Sequence, residues 1–234
     1  MPGDHPVAPL YGPQLAQERR SVINQGDDSL PRLIGIGGAS GSGKDVVASY
    51  LVEHHGYTRL GFADALKQEV IKKFRGTLIV HLFDVGWIYP SDPPDTVQQA
   101  LQEIVWRHRT PLVRCLLQEM GTNVRRADDP GYWVTRWSRQ WHQIKASVRV
   151  VVPDVRFENE CSVIREQGGI LIRAVRPAHC EPELIHTHVS EHLATSDGMW
   201  DLTLHNTGTL KEFQALIAVE LLSKMKVSAG IPKE

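Results

Sequence analysis

The sequence has little of several features that would mark a specialised class of protein. Its 234 residues include only three cysteines, Cys115, Cys161 and Cys180, whose odd number and spacing disfavour a disulfide scaffold and predict free thiols in a reducing compartment. No apolar run approaches the roughly 20 residues that span a bilayer, and the N-terminus lacks the basic and apolar segments of an export signal. The formal net charge of -1 provides no overall attraction to a nucleic acid polymer. We therefore expect a cytoplasmic protein without a membrane or nucleic acid partner.

What is present is the composition of an ordinary globular domain, with 41% hydrophobic and 23% charged residues. Residues 1–31 hold five prolines and three glycines without a sustained apolar period, and this composition predicts a mobile leader. From Arg32 onward, short apolar runs alternate with helical patterns. This alternation predicts one α/β domain over 32–234, with a mainly parallel sheet covered by helices on both faces. Residues 75–147 break the alternation and predict a helical insertion.

The segment GASGSGKD has the glycine and lysine spacing of a Walker A loop, except that Asp45 stands where serine or threonine is usual. Glycines in such a loop let backbone N–H groups turn toward phosphate oxygens at a helix N-terminus, and Lys44 would contact the terminal phosphates. Asp45 is also a candidate oxygen ligand for Mg²⁺. The alternative is a turn that binds nothing, but the β-like run before it and the helical pattern after it favour phosphate binding. The candidate phosphate-binding residues are Gly38, Ala39, Ser40, Gly41, Ser42, Gly43, Lys44 and Asp45.

Asp154 closes VRVVVPD, the most β-like run of the chain. Walker B carboxylates support a magnesium ion at the carboxyl edge of a parallel sheet, so Asp154 is the second candidate Mg²⁺ ligand. A turn-forming aspartate after proline is the alternative. Arg156, Asn159 and Glu160 follow closely enough to reach the same crevice, although Glu160 alone would also fit a solvated helix position.

A third group of candidates follows the run PLVRCLLQEMG, which predicts a helix from Pro111 that ends at Gly121. Arg125 and Arg126 would then lie in a loop, and Trp133 comes shortly after them. Guanidinium groups bind phosphate through paired hydrogen bonds and an indole can stack on a base, so this segment is a candidate acceptor site. Surface arginines and a core tryptophan are the alternative.

The segment over 177–195 is rich in histidine and loop-like in composition. A zinc site is one interpretation, but the spacing matches no familiar tetrahedral motif. A lid-like segment is the prediction that we favour. The side chains that would have to supply metal ligands are His179, Cys180, His186, His188 and His192.

Several segments together resemble the deoxynucleoside monophosphate kinases of tailed bacteriophages and prophages. The resemblance extends from about residue 33 to residue 217, and the order and spacing of the segments make it specific. Two features depart from the family pattern: Val46 stands where threonine is frequent, and the leader is unmatched. The segments that carry the resemblance are GSGKD, FADALK, LLQEMGTNVRR, GYW, DVRFENE, HVSE and HNTGTL.

The resemblance implies a P-loop nucleoside monophosphate kinase fold with an acceptor-binding insertion and a lid. On the matching positions it implies that Lys44 and its loop bind ATP, and that Asp154 and Arg156 act with Lys44 on the reacting phosphates. The acceptor-side residues that it implies are Asp64, Lys67, Arg125, Arg126 and Trp133. Asn159 and Glu160 are acceptor candidates from their position after Asp154.

The expected activity is therefore ATP-dependent phosphorylation of deoxynucleoside monophosphates to diphosphates with Mg²⁺, in a bacterial or phage-infected host cytoplasm. One alternative is a kinase of another small phosphorylated metabolite, resembling the animal phosphomevalonate kinases. Another is a non-catalytic nucleotide-binding module. The substrates are small molecules in the first two cases, and a homodimer is one assembly that the sequence leaves open.

Overall fold

The computed structural model describes residues 30–108, 110–177 and 198–228. The strands of this part of the chain form one sheet in the order β2-β3-β1-β4-β5, and all neighbouring strands are parallel. The predicted parallel sheet is therefore confirmed. Its strands are β1 (Leu33–Gly37), β2 (Thr58–Arg59), β3 (Val150–Val155), β4 (Ile170–Val175) and β5 (Leu202–His205).

Helices flank the sheet, as the alternating pattern predicts. Two wider, π-helical stretches, Ile104–His108 and Glu119–Arg126, continue the helices that precede them. The α-helices are α1 (Lys44–His55), α2 (Phe62–Lys73), α3 (Arg75–Asp84), α4 (Pro94–Glu103), α5 (Pro111–Gln118), α6 (Tyr132–Ile144), α7 (Glu158–Glu166) and α8 (Leu210–Ser228).

The central strands are apolar because helices cover both faces of the sheet. Every residue of β1 is buried, and so are the first four residues of β3. On one face, Leu51 of α1 packs with Phe213 and Ile217 of α8. On the other face, Trp137 of α6 and Ile164 of α7 pack against the sheet. The fold is thus a three-layer α/β arrangement with two cores.

A further core lies among the helices that separate β2 from β3. Leu78 and Leu82 of α3 pack with Leu101 of α4, Val113 of α5 and the buried side of α2. These helices occupy the part of the sequence in which a helical insertion is predicted. The bounds 75–147 of that insertion stay a prediction.

Gly121 does not end a helix, which corrects the expectation for this region. The chain passes from α5 directly into the π-helical stretch Glu119–Arg126, so Arg125 and Arg126 lie in a helical turn rather than a loop. A Cβ atom at Gly121 would lie 2.9 Å from Cδ2 of Leu66, so the glycine permits close packing of this turn on α2. Packing explains this glycine better than helix termination does.

Parts of the chain on which predictions were made lie outside the described residues. They include residues 1–29 of the leader and most of the histidine-rich segment. Cys115 and Cys161 are free thiols, as expected, and Cys180 falls outside. Among the described residues, no helix combines the length and apolar character that crossing a membrane requires.

Two glycine substitutions should change stability in opposite directions. At Gly169 a Cβ atom would lie 2.8 Å from Cγ2 and 3.0 Å from the carbonyl oxygen of Ile164, so Gly169→Ala should lower the free energy of unfolding by about 1 to 3 kcal/mol. At Gly76 in α3 a Cβ atom would meet nothing within 4 Å. Gly76→Ala should raise the free energy of unfolding by about 0.5 to 1 kcal/mol, because alanine favours the helix. Urea unfolding of both variants checks the signs, and equal signs would contradict the packing.

Candidate active site

A glycine-rich turn joins β1 to α1. Gly38, Gly41 and Gly43 have φ angles of 136°, 75° and 105°, a region that side chains other than glycine rarely adopt. A Cβ atom at Gly38 would lie only 2.2 Å from the carbonyl oxygen of Ala174 in β4. The turn therefore brings backbone N–H groups to the N-terminus of a helix, and this is the geometry of a phosphate-binding loop.

Lys44 is the first residue of α1, and its side chain folds back over this loop. Its Nζ donates hydrogen bonds to the carbonyl oxygens of Gly38 at 2.8 Å and Ala39 at 2.5 Å. The ammonium group is thus held at the loop, where a phosphate chain would meet it.

Asn206, which directly follows β5, supports the loop from the sheet side. Its buried amide donates to the carbonyl oxygen of Ser42 at 3.2 Å. A Cβ atom at Gly43 would lie 2.9 Å from the same amide nitrogen and 2.8 Å from the ring of Phe213. Sequence reasoning did not single out Asn206, although its place in HNTGTL was an available signal.

Asp154 lies at the carboxyl end of β3, beside the strand that carries the phosphate loop. Val155 stands opposite Gly37 in the register of β3 and β1. The two Asp154 oxygens accept the backbone N–H groups of Phe62 at 2.9 Å and Ala63 at 2.8 Å, at the start of α2. A carboxylate is favourable at a helix N-terminus. Asp154 thereby joins the edge of the sheet to the first turn of α2.

Asp64 and Lys67 lie next to this contact, as the resemblance implies. Asp64 accepts the backbone N–H of Gly61 at 2.8 Å, and the Lys67 Nζ is 3.4 Å from its other oxygen. Burial raises the pKa of Asp64, and the negative charge of Asp154 raises it further. The structure therefore brings these two carboxylates and one ammonium group together.

Asp45 occupies the first turn of α1 and forms an ion pair with Arg59 of β2. Its side chain is 72% exposed, so its carboxylate is accessible. The described residues contain no group of three or more His, Cys, Asp or Glu side chains placed to hold a metal ion. Magnesium is commonly held by one or two carboxylates together with substrate phosphates and water. Asp45 and Asp154 supply donors of the kind that fits this ion.

Arg126 contacts the chain that follows β3 through Glu160 and Phe157. Its guanidinium pairs with Glu160 and lies 3.7 Å from the ring centre of Phe157. Burial raises the pKa of Glu160 to about 7, while the Arg126 charge acts to lower it. Glu160 is only 2% exposed, so neither a solvated position nor direct contact with an acceptor fits it in this structure.

Arg125 belongs to a separate network around Glu69 of α2. Its guanidinium donates two hydrogen bonds to one Glu69 oxygen, and the Tyr132 hydroxyl donates to the other at 3.0 Å. Arg136 donates to the Tyr132 hydroxyl at 2.7 Å, and both guanidinium groups lie 4.9 Å from the Tyr132 ring centre. Arg136 is half exposed. Sequence reasoning missed it because a helical arginine carries no distinctive local signal.

The two remaining residues after β3 differ in accessibility. Arg156 is an exposed residue and is therefore accessible to a ligand. The Asn159 side-chain amide donates to the carbonyl oxygen of Pro130 at 2.8 Å and ties α7 to the turn before α6. Asn159 therefore has a structural contact in addition to any role in binding.

Trp133 does not fit the expected role as a base-stacking platform. It is 2% exposed, and its indole N–H donates to the carbonyl oxygen of Gly121 at 3.0 Å. The ring packs within the helical core and meets Tyr132 edge-on. The indole has no open face on which a base could stack. Trp133 is therefore a core tryptophan, which is the alternative stated for it above. Periodicity alone could not separate the two, because an aromatic side chain suits both.

The candidate zinc ligands and the predicted lid cannot be placed in the site. His179, Cys180, His186, His188 and His192 all lie outside the described residues.

Trp133→Leu separates a structural role from a binding role. The substitution removes buried volume and the indole hydrogen bond, so the free energy of unfolding should fall by about 2 to 5 kcal/mol. The acceptor KM, corrected for the folded fraction, should stay within twofold of the parent because the buried indole has no face open to a ligand. Denaturant unfolding and steady-state kinetics measure the two effects. A stable variant with a strongly raised acceptor KM would restore base stacking.

The profile of the family described as deoxynucleotide monophosphate kinase matches residues 92–217. A protein of Acanthamoeba polyphaga mimivirus, provisionally named deoxynucleotide monophosphate kinase, is 33% identical over 206 residues, which are 82% of this chain and 98% of the viral protein. UMP-CMP kinase 3 of Arabidopsis thaliana is 38% identical over 80 residues, 33% of this chain and 40% of the plant protein. A phosphate loop beside the strand of Asp154, within a fully parallel sheet, agrees with this relationship, and the chain belongs to the deoxynucleotide monophosphate kinase family.

Proposed function

We propose that this protein transfers the γ-phosphoryl group of ATP to a deoxynucleoside monophosphate and so forms ADP and a deoxynucleoside diphosphate. The observation that carries the proposal is the phosphate loop at the end of β1, directly beside the Asp154 strand, in a chain of this family. Phosphoryl transfer depends mainly on positioning and on neutralising charge, and both requirements suit this arrangement.

On the donor side, backbone N–H groups of the loop would surround the β- and γ-phosphates of ATP. Lys44 lies at the loop, and its ammonium group would stabilise the negative charge that develops on the phosphoryl group during transfer. Asn206 would stabilise this conformation of the loop through its hydrogen bond to the carbonyl oxygen of Ser42.

On the acceptor side, the chain offers guanidinium groups around the crevice after β3. Arg126 and Arg156 would bind the acceptor phosphate, and Arg125 of the turn Glu119–Arg126 and Lys67 of α2 are further candidates. An oxygen of that phosphate would attack the γ-phosphorus in line. The bond from this phosphorus to the β-phosphate oxygen would break, and ADP would leave with the electron pair. The reaction needs no protein nucleophile.

Asp45 and Asp154 are the residues that we propose to hold Mg²⁺. When bound, the ion would neutralise charge on the β- and γ-phosphates. Asp154 would keep its hydrogen bonds to the start of α2 while it binds Mg²⁺. One residue would therefore contact both the metal ion and the helix that carries Asp64 and Lys67.

The alternatives from the sequence are not favoured. Both relatives are named as kinases of nucleoside monophosphates, which argues against a phosphomevalonate-like acceptor and against a non-catalytic nucleotide-binding module. A cytoplasmic location stays a prediction, and a homodimer stays open.

The function is tested by measuring ADP formation from ATP with each of the four deoxynucleoside monophosphates, with phosphomevalonate and with no acceptor. We expect ADP formation that depends on at least one deoxynucleotide. Lys44→Ala should lower kcat by about 10²- to 10³-fold, the effect of removing one charge-stabilising contact. Lys72→Ala, which changes an exposed lysine on α2, is the matched control and should leave kcat unchanged.

Three results would contradict the proposal. They are turnover with phosphomevalonate alone, ATP binding without acceptor-dependent turnover, and full activity of a folded Lys44→Ala variant.

Asp45 is tested through the magnesium dependence of the reaction. Asp45→Ala should raise the Mg²⁺ concentration that gives half-maximal activity, whereas Asp45→Ser should preserve more activity because a hydroxyl restores the usual P-loop ligand. Arg59→Ala is the control for the ion pair, since it removes the partner of Asp45 and leaves the carboxylate. Identical magnesium curves for the parent and both Asp45 variants would exclude Asp45 from metal binding.

A further inference from the structure

Glu160 lies in the first turn of α7, immediately after the segment that carries Asp154 and Arg156. One of its oxygens, Oε2, accepts the backbone N–H groups of Arg156 at 2.7 Å and Phe157 at 3.2 Å. This contact fixes the chain between β3 and α7. The residue is 2% exposed, so substrate cannot touch it directly.

The second oxygen of Glu160, Oε1, pairs with the Arg126 guanidinium across 34 positions of sequence. The Phe157 ring lies 3.7 Å beneath that guanidinium, and Arg126 Nη1 is 3.4 Å from the Pro130 carbonyl oxygen. The Arg126 guanidinium is therefore contacted on its flat face by the Phe157 ring and at its N–H groups by Glu160 and Pro130. A guanidinium has five N–H donors, and these contacts use two of them. Three donors lie outside these contacts, on a side chain that is 13% exposed.

Helix capping does not account for a carboxylate at this position. Glutamine at the third helical position accepts the same backbone N–H groups without a charge. A buried carboxylate is costly unless a cation compensates it, and Glu160 also lies within the field of Asp154. The charge is useful where it holds another charged group in place, and Arg126 is that group.

We propose that Glu160 is a positioning residue that holds the Arg126 guanidinium and the Arg156 backbone together, so that both arginines face the acceptor phosphate. The inference rests on the proposed function, because it assumes that the phosphorylated acceptor binds beside β3. It assigns to Glu160 an effect on the acceptor alone, since its contacts described above reach Arg126, Arg156 and Phe157 and none reaches the phosphate loop.

Glu160→Gln tests the inference, with Glu158→Gln as the matched control in the same helical turn. Titration calorimetry with the four deoxynucleoside monophosphates and, separately, with ATP measures binding without turnover. Glu160→Gln should weaken deoxynucleotide binding roughly tenfold or more, the scale of a lost contact to a charged group, and change ATP binding less than twofold. Glu158 is exposed, so its variant should bind both ligands as the parent does.

A purely structural role for Glu160 predicts a different result. General loosening of the fold would weaken the binding of ATP and of deoxynucleotides equally, and this result would overturn the inference. Unchanged binding of both ligands would also overturn it. Circular dichroism shows whether Glu160→Gln folds. If it does not, Phe157→Leu removes the ring under Arg126 and should weaken deoxynucleotide binding about threefold to tenfold. Unchanged deoxynucleotide binding in that variant would also overturn the inference.

The turnover assay separates this inference from the proposed function. If the parent binds deoxynucleotides and Glu160→Gln weakens that binding, but the parent transfers no phosphoryl group, the proposed function is wrong and the positioning role stands. If the parent transfers phosphate and Glu160→Gln behaves like the parent, the positioning role is wrong and the proposed function stands. A parent that binds none of the four nucleotides overturns both.

Discussion

The hydrogen bonds from the start of α2 to Asp154 join the two halves of the site. Both Asp154 oxygens accept N–H groups from residues more than 90 positions earlier in the chain. Because Asp154 lies on the strand next to β1, the same contact places the first turn of α2 beside the phosphate loop. Asp64 and Lys67 of α2 and the glycine-rich loop before α1 are thus positioned by contacts to one carboxylate and its strand.

Charges near this carboxylate are arranged in compensated pairs. Asp64 lies close to Lys67, Glu160 pairs with Arg126, and both acidic groups have raised pKa values because they are buried near Asp154. Isolated buried charges would be strongly unfavourable, so each carboxylate requires a partner. The pairing orients the guanidinium groups of Arg125 and Arg126 through protein contacts. Such preorganisation lowers the cost of binding and of charge stabilisation.

The helical part of the chain supports this arrangement through packing. Trp133 packs in the helical core and donates to the Gly121 carbonyl oxygen, and the close approach of Gly121 to Leu66 seats the Arg125 and Arg126 turn on α2. The two arginines are consequently presented from a packed helical turn. Their positions depend on the core beneath them as much as on their own side chains.

Local patterns in the sequence were sufficient to predict several parts of this structure. The alternation of apolar runs and helical patterns predicted the parallel α/β fold, and the glycine spacing before Lys44 predicted a glycine-rich turn between a strand and a helix. The run VRVVVPD predicted β3 and placed Asp154 near its end. These features depend on residues close together in the chain, so period and spacing carry the information.

The tertiary structure alone decided the strand order, the burial of Trp133 and the partners of Asp154 and Glu160. Each depends on contacts between segments far apart in sequence. A buried glutamate and a solvated one occupy the same place in a helical pattern, and an indole suits a core as well as a base-binding face. The sequence by itself therefore determined the fold class and the glycine-rich turn before α1. Which charged groups are exposed and which pair with other residues was decided by long-range packing, because burial and the identity of a charge partner leave no local periodic signal.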